Sequence, residues 1–329
     1  DLAVGAAGTP AAWTVDNVTV VNTTSVLSAY QSSGNWVVRN STFRRRGDIF
    51  VGESSGDWMI EQTTIRNSTE EAIDAVNSSG QWTVRDSVIE NTADDGVRAD
   101  ETSGDWTLVN VTVSDVEDDA VDAYESDGNW TVRRTTVTDA SDEGINGVSS
   151  SGDWEVRDTV VTETDDGVDS YNSTGNWTVR DTRITDVSDE GIDAVSSTGD
   201  WEVRGTVVTS AADGVNGYNS TGDWTVRDTR IRNVSTHGIN AYASGGDWTV
   251  TNAAVRNASA NGVYAENAAG AWEVHESTVV DTARGVDATN ATAEGNATRN
   301  YWGASDGPSG DFSGSGAAAV GNVRVRPYY

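Results

Sequence analysis

The sequence contains no cysteine and no lysine, one methionine, two histidines and three prolines in 329 residues. Without cysteine there is no disulfide framework and no thiolate metal site, and nothing reports a redox compartment. Without lysine, all 21 basic residues are arginine, set against 52 Asp and Glu for a formal charge of -31. Nucleic acid is excluded as a partner, because its phosphates would be repelled. No apolar run is long enough to span a bilayer, and no basic and apolar leader opens the chain. A start at Asp1 without Met reads as a mature or trimmed product. Helical periodicity is missing too, since no stretch between turns has room for a 3.6-residue repeat.

High charge with modest hydrophobicity often signals disorder, but 13 tryptophans at regular spacing point to a packed core. An acidic surface stays hydrated in concentrated salt, where screening weakens self-repulsion among carboxylates. In this the composition resembles that of proteins from salt-loving archaea. Asn-x-Ser/Thr sequons occur at Asn17, Asn22, Asn40, Asn67, Asn77, Asn110, Asn129, Asn172, Asn176, Asn219, Asn233, Asn257, Asn290 and Asn296. Their abundance suggests a secreted, glycosylated protein, extracellular or at the cell surface.

Trp13, Trp36, Trp58, Trp82, Trp106, Trp130, Trp154, Trp177, Trp201, Trp224, Trp248 and Trp272 follow one another at 22 to 24 residues. Such a period means a solenoid. In Trp177-Thr178-Val179-Arg180 apolar and polar residues alternate, so Trp and Val face inward and Thr and Arg face solvent. Ile184 marks a second strand, and Ile192 and Ala194 a third, with Asp193 and Val195 pointing out. The fold class is therefore all-β: a single-stranded right-handed parallel β-helix of about 12 coils, each with three short strands. Stacking makes ladders of Val132, Val156, Val179, Val203 and Val226, and a column of small residues, Ala123, Gly147, Ser170, Ala194 and Gly217, leaves room for the tryptophans. Residues 1–12 read as an edge segment, 13–299 as the array and 300–329 as a closing segment.

The recurring Gly-Val/Ile with inward hydrophobics resembles the repeats of pectate-lyase-like and carbohydrate-binding or sugar-hydrolase β-helices. Asn300-Tyr301-Trp302-Gly303, followed by Gly307-Pro308, is similar to the segment that closes secreted microbial β-helices. A final strand over 322–326 is expected there. The resemblance implies fold more than activity.

Three outward columns carry chemistry. Arg157, Arg180 and Arg204, with Arg133 and Arg227, either pair with neighbouring acids or bind anionic groups. Asp166, Asp169, Asp189, Glu190 and Asp193 form an oxygen-rich column suited to Ca²⁺, although a hydrated acidic surface explains them as well. Tyr124, Tyr171 and Tyr218, with Tyr242, could stack on sugar rings or on another molecule. For catalysis the candidates are Asp165, Asp166, Asp189 and His237, as the acid pairs of glycoside hydrolysis would require. Yet those pairs recur in coil after coil, as decoration does. The leading expectation is a non-catalytic surface protein, structural or adhesive, with itself or glycans as partner and no required cofactor. The uncovered first coil suggests end-to-end assembly. A polysaccharide lyase or glycoside hydrolase, and a glycan-binding module, are the alternatives.

Overall fold

The computed structural model describes residues 2–22, 25–45 and 48–328, in which every regular element is a β-strand. The chain forms two compact units, Asp1–Asp165 and Asp166–Tyr329. In each unit the strands lie in three parallel sheets, and strands that succeed one another within a sheet come from successive coils. This is a β-solenoid.

The tryptophan-headed strands set the register. In the first unit Trp36–Arg39 pairs with Trp58–Glu61, Trp82–Arg85 with Trp106–Val109, and Trp130–Arg133 with Trp154–Arg157, tryptophan always on tryptophan. The second unit repeats this from Trp177–Arg180 to Trp272–His275. Within each unit the indoles stack with centroids 4.6 to 5.0 Å apart. Burying so much aromatic surface in register is the main reason the coils cannot slip. The small column opposite has the expected role: a Cβ on Gly217 would lie 3.1 Å from the Trp201 ring.

The Asp or Asn that precedes most of the tryptophans holds one coil to the next. Asp105 Oδ1 accepts the N–H of Asn129 at 3.0 Å, and Asn129 Oδ1 accepts that of Asp153 at 2.9 Å. The glycine one residue earlier is required by proximity, since a Cβ on Gly104 would meet the Gly80 carbonyl oxygen at 2.1 Å.

Each coil turns through corners in which one residue adopts the left-handed conformation, for example Asn67, Asp86 and Asn77 at φ of 57°, 52° and 56°. Asn, Asp and Gly tolerate that region best. Of the 14 sequon asparagines, 11 occupy such corners. Their abundance therefore has a conformational cause, and it no longer argues for secretion by itself.

Two boundaries change. Leu2–Gly5 is already a strand, paired with Ser25–Ser28 through Leu2 and Ser25, so the array begins inside the segment read as an edge. At the other end the closing strand is Val323–Arg324, paired with Gly295–Asn296, and Gly316–Gly321 lies on Arg284–Ala288. Trp302 and Asn300 are fully buried. Asn300 accepts the Ser277 N–H at 2.9 Å and donates to the Val274 carbonyl at 2.7 Å. That double contact is what the Asn-Tyr-Trp-Gly segment is for.

Candidate functional site

The third sheet, made of two-residue strands such as Ile192–Asp193 and Val215–Asn216, carries the acidic and tyrosine columns. Three positions recur around the glycine that precedes each strand. The residue before it runs Asp166, Glu190, Asp213, His237 and Asn261 through the second unit. The residue two after it runs Asp169, Asp193, Asn216, Asn240 and Tyr264, and the residue four after it runs Tyr171, Val195, Tyr218, Tyr242 and Glu266.

The first two columns are built into the fold. The residue before the glycine caps the backbone of the next coil: Asp166 Oδ1 accepts the Glu190 N–H at 2.6 Å, and Asp213 Oδ1 accepts that of His237 at 2.7 Å. His237 continues the ladder, its Nδ1 accepting the Asn261 N–H at 3.3 Å. The residue two after the glycine closes its own turn, as Asp193 Oδ1 does with the Val195 N–H at 3.0 Å and Asn240 Oδ1 with the Tyr242 N–H at 3.1 Å. Asp166 and Asp169 are 9% and 7% exposed, so these two members of the column are not solvated surface charge. Burial pushes Asp193 up to about 7 and raises Asp166 and Glu190 as well, with neighbouring acids adding to the effect.

Of the five residues expected to hold Ca²⁺, Asp166, Asp189 and Glu190 bring carboxylate oxygens within 4.8 Å of one another. Asp169 and Asp193 face each other on the adjoining rungs, outside that set. Of the catalytic candidates, Asp166 and Asp189 come together, and His237 does not join them. Asp165 ends the first unit and Asp166 opens the second. His237 stands three rungs from Asp166 in the same column, ~14 Å at ~4.8 Å per rung.

The arginine and tyrosine candidates lie on different sheets, because the arginines end the tryptophan strands. Arg157 pairs with Glu155 at 2.9 Å and Arg180 with Asp181 at 3.3 Å, which supports the ion-pair reading. Arg204 has no carboxylate partner among the described residues, although Arg180 and Arg227 flank it in register.

The tyrosines change most between sequence and structure. Tyr171 and Tyr218 are 47% and 41% exposed, with Val195 between them. The alternation breaks after Tyr218: its ring stacks on Tyr242 with centroids 5.4 Å apart and planes 2° from parallel. Tyr242 contacts Tyr264 at 5.5 Å, and Tyr264 stacks on His237 at 4.4 Å. Four rings thus form one continuous aromatic surface, flanked by Asn216 and Asn240. Tyr264 is the residue that sequence reasoning missed. The available signal was Gly262-Val263-Tyr264, where the preceding coils have Gly-Val/Ile-Asp/Asn.

Residues 3–161 match the model of the right-handed β-helix region, which gives the solenoid its handedness. Residues 128–306, more than half of the chain, match the family described as periplasmic copper-binding protein (NosD), and the chain belongs to this family. No curated protein matches it. Among solved structures, the catalytic unit of a thermostable GH87 α-1,3-glucanase from Streptomyces thermodiastaticus strain HF3-3 is similar at 16% identity and a TM-score of 0.48, over 83% of this chain. The chain spans 56% of that unit. The periplasmic alginate epimerase AlgG is similar at 12% identity and a TM-score of 0.49, over 96% of this chain and 73% of its own.

The residues present do not fit copper. Copper favours imidazole, thiolate and thioether ligands, and the chain has no cysteine and a single methionine, Met59. His237 and His275 stand on different sheets, and His275 Nε2 is 2.6 Å from Thr251 Oγ1. None of the acidic groups within ligand distance includes a histidine, among the described residues.

Proposed function

We propose that this chain is a non-catalytic, extracytoplasmic adhesive β-helix that binds neutral glycan on the aromatic face of its second unit. The observation that carries this reading is the continuous surface of Tyr218, Tyr242, Tyr264 and His237, with Asn216 and Asn240 beside it. Flat rings accept the apolar face of a pyranose, and Asn216 and Asn240, whose carboxamides are spent on Glu190, Asp213 and the backbone of their own turns, hold the wall beside the rings. The many carboxylates on the same sheet disfavour polyuronates and sulfated polymers, so the ligand class is uncharged. Catalysis is disfavoured because the acid pairs recur in coil after coil, and Asp95, Asp119 and Asp166 each spend an oxygen on a backbone N–H. An extracytoplasmic location agrees with the periplasmic family description and with 13 sequon asparagines exposed to solvent. The acidic, lysine-free composition suits a salt-rich setting.

Affinity electrophoresis through gels containing neutral or acidic polysaccharides tests the reading. Retardation by at least one neutral glucan or mannan is expected, with none by alginate or pectate. Equal mobility in every gel would overturn it.

A second reading, a glycan-cleaving enzyme, is favoured by one observation: His237 follows Asp166, Glu190 and Asp213 in its column, and it contacts Tyr264. New reducing ends or unsaturated products from any polysaccharide, abolished in His237→Asn, would establish it in place of the first.

A further inference from the structure

The second unit carries two exposed ladders of opposite charge, built on the same repeat. Arg183, Arg230, Arg232 and Arg256 are exposed on the strands Arg183–Thr185, Arg230–Val234 and Ala254–Ala258. Arg232 and Arg256 are register partners on adjacent rungs, and Arg183 stands two rungs from Arg230 in the neighbouring column, with Val207 between them. None of the four has a carboxylate partner among the described residues, in a chain where acids outnumber arginines by 52 to 21. The corner beside them gives the reason. Its residues run Asp186, Ser210, Asn233, Asn257 and Asp281, so the coils that carry Arg232 and Arg256 have neutral asparagines there, joined by Asn257 Nδ2 donating to Asn233 Oδ1 at 3.0 Å. Like charges directly opposite on a sheet are destabilising until a counter-charge answers them.

The opposite ladder precedes the tryptophans. Asp200, Asp223 and Asp247 are exposed and stand on successive rungs, ahead of the paired strands that begin at Trp201, Trp224 and Trp248. One oxygen holds each of them still: Asp200 Oδ1 accepts the Asp223 N–H at 2.9 Å, Asp223 Oδ1 that of Asp247 at 2.8 Å, and Asp247 Oδ1 that of Ala271 at 2.8 Å. The second oxygen of each takes no hydrogen bond among the described residues. Within one chain a tryptophan strand such as Trp224–Arg227 lies between the two ladders, and no ion pair joins them among the described residues.

We propose that the ladders are the two halves of a side-by-side contact between copies of this chain, the arginine strip of one second unit docking on the Asp200, Asp223 and Asp247 ladder of the next. Both ladders advance by one rung, ~4.8 Å, so arginine and aspartate meet in step. A guanidinium grips a carboxylate with a fork of two donors, and the aspartates are already held, so docking orders only the arginines. Because the contact uses different faces of the two copies, it leaves one ladder free on each and propagates into an open row. Each exposed pair is weak, so several must act together. At a formal charge of -31 the copies repel in dilute buffer. Screening removes that repulsion first, since the Debye length is about 8 Å at about 0.15 M, while touching pairs persist until it falls to about 3 Å near 1 M. The contact therefore forms when a salt-rich medium is diluted. None of these residues belongs to the aromatic face, so the inference stands independently of the glycan reading.

Sedimentation velocity of the full chain over a series of NaCl concentrations tests this. Expected is concentration-dependent association at about 0.15 M that is lost above about 1 M. The double variant Arg232→Asp with Arg256→Asp should stay monomeric, and so should Asp223→Arg with Asp247→Arg. Unfolding temperatures near the parent's serve as the control; Gln81 and Ala271 hold the aspartate position in other coils, so that position tolerates change. An equimolar mixture of the two double variants should regain association, because each strip again faces the opposite charge. A parent that is monomeric at every salt, association that either double variant keeps, or a mixture that stays monomeric would each overturn the contact. Retardation of a monomeric parent, but not of the arginine variant, in gels holding a sulfated polymer would assign the strip to an anionic polymer instead.

Discussion

His237 and Tyr264 lie face to face, ring centroids 4.4 Å apart and planes 13° from parallel, although the repeat puts them in different columns. The one precedes its glycine and the other follows its glycine by two residues. Contact between columns is what turns a periodic wall into a local surface.

If that surface holds sugar, Tyr242→Ala should lower affinity for a neutral glycan more than Tyr171→Ala does. Tyr242 touches two other rings, whereas Tyr171 has Val195 on the next rung. An aromatic contact is worth about 0.5–1.5 kcal/mol, so a loss of roughly three- to tenfold is expected for Tyr242→Ala. Retardation in glycan gels measures both, with unfolding temperature as the control.

Burial holds His237 neutral, lowering its pKa against the opposing pull of Asp213 and Asp287. The neutral ring is needed, because Nδ1 must accept the Asn261 N–H. Its contribution to stability is present above 6.5, the ordinary histidine value, and is lost as pH falls through the lower folded value. Imidazole C–H shifts followed by NMR should show one of the two histidines titrating below 6.5, and His237→Asn should remove that resonance.

The buried carboxyls act in the opposite direction. Asp74 is pushed up to about 6, Asp193 to about 7 and Asp95 to about 8, all by burial first, against an ordinary value of 3.8. Between those values the native chain holds protons that the unfolded chain has released. Their contribution to stability is greatest below the ordinary value and declines as pH rises to about 8. Urea midpoints should therefore be lower at about pH 8 than at about pH 5, and Asp95→Asn should reduce the difference.

Gly104→Ala should destabilise by about 1–3 kcal/mol or prevent folding, because the added methyl strikes backbone and no rotamer relieves it. Gly245→Ala is the control, since its nearest neighbour would be 3.4 Å away. Thermal unfolding of the two variants should separate them clearly.

Corner asparagines should be replaceable according to φ. Asn67→Gly should leave the unfolding temperature close to the parent's, while Asn67→Val should cost about 1–2 kcal/mol at φ of 57°. The two variants lose the same sequon, so any difference between them reports backbone conformation.

Most of the scaffold was legible beforehand. Trp-x-Val-Arg alternates with period two, Gly-Val/Ile marks the short strand, and a 22 to 24 residue spacing permits only stacked coils. Arg157 and Arg180 form ion pairs with Glu155 and Asp181, one of the two readings that the sequence left open. Within the acidic column Asp166 and Asp169 are buried while Asp189 is exposed, a difference the sequence does not show because side-chain burial at a corner depends on how the next coil covers it. Eleven sequon asparagines occupy left-handed corners, a conformational reason for their abundance that the sequence alone does not reveal.

The sequence by itself determined the coil, its strand faces and its register, since those follow from local alternation and from indoles that must stack on indoles. Only the tertiary structure decided which side chains from separate columns meet. Tyr264 reaching His237 depends on offsets between adjacent rungs that a one-dimensional period does not encode.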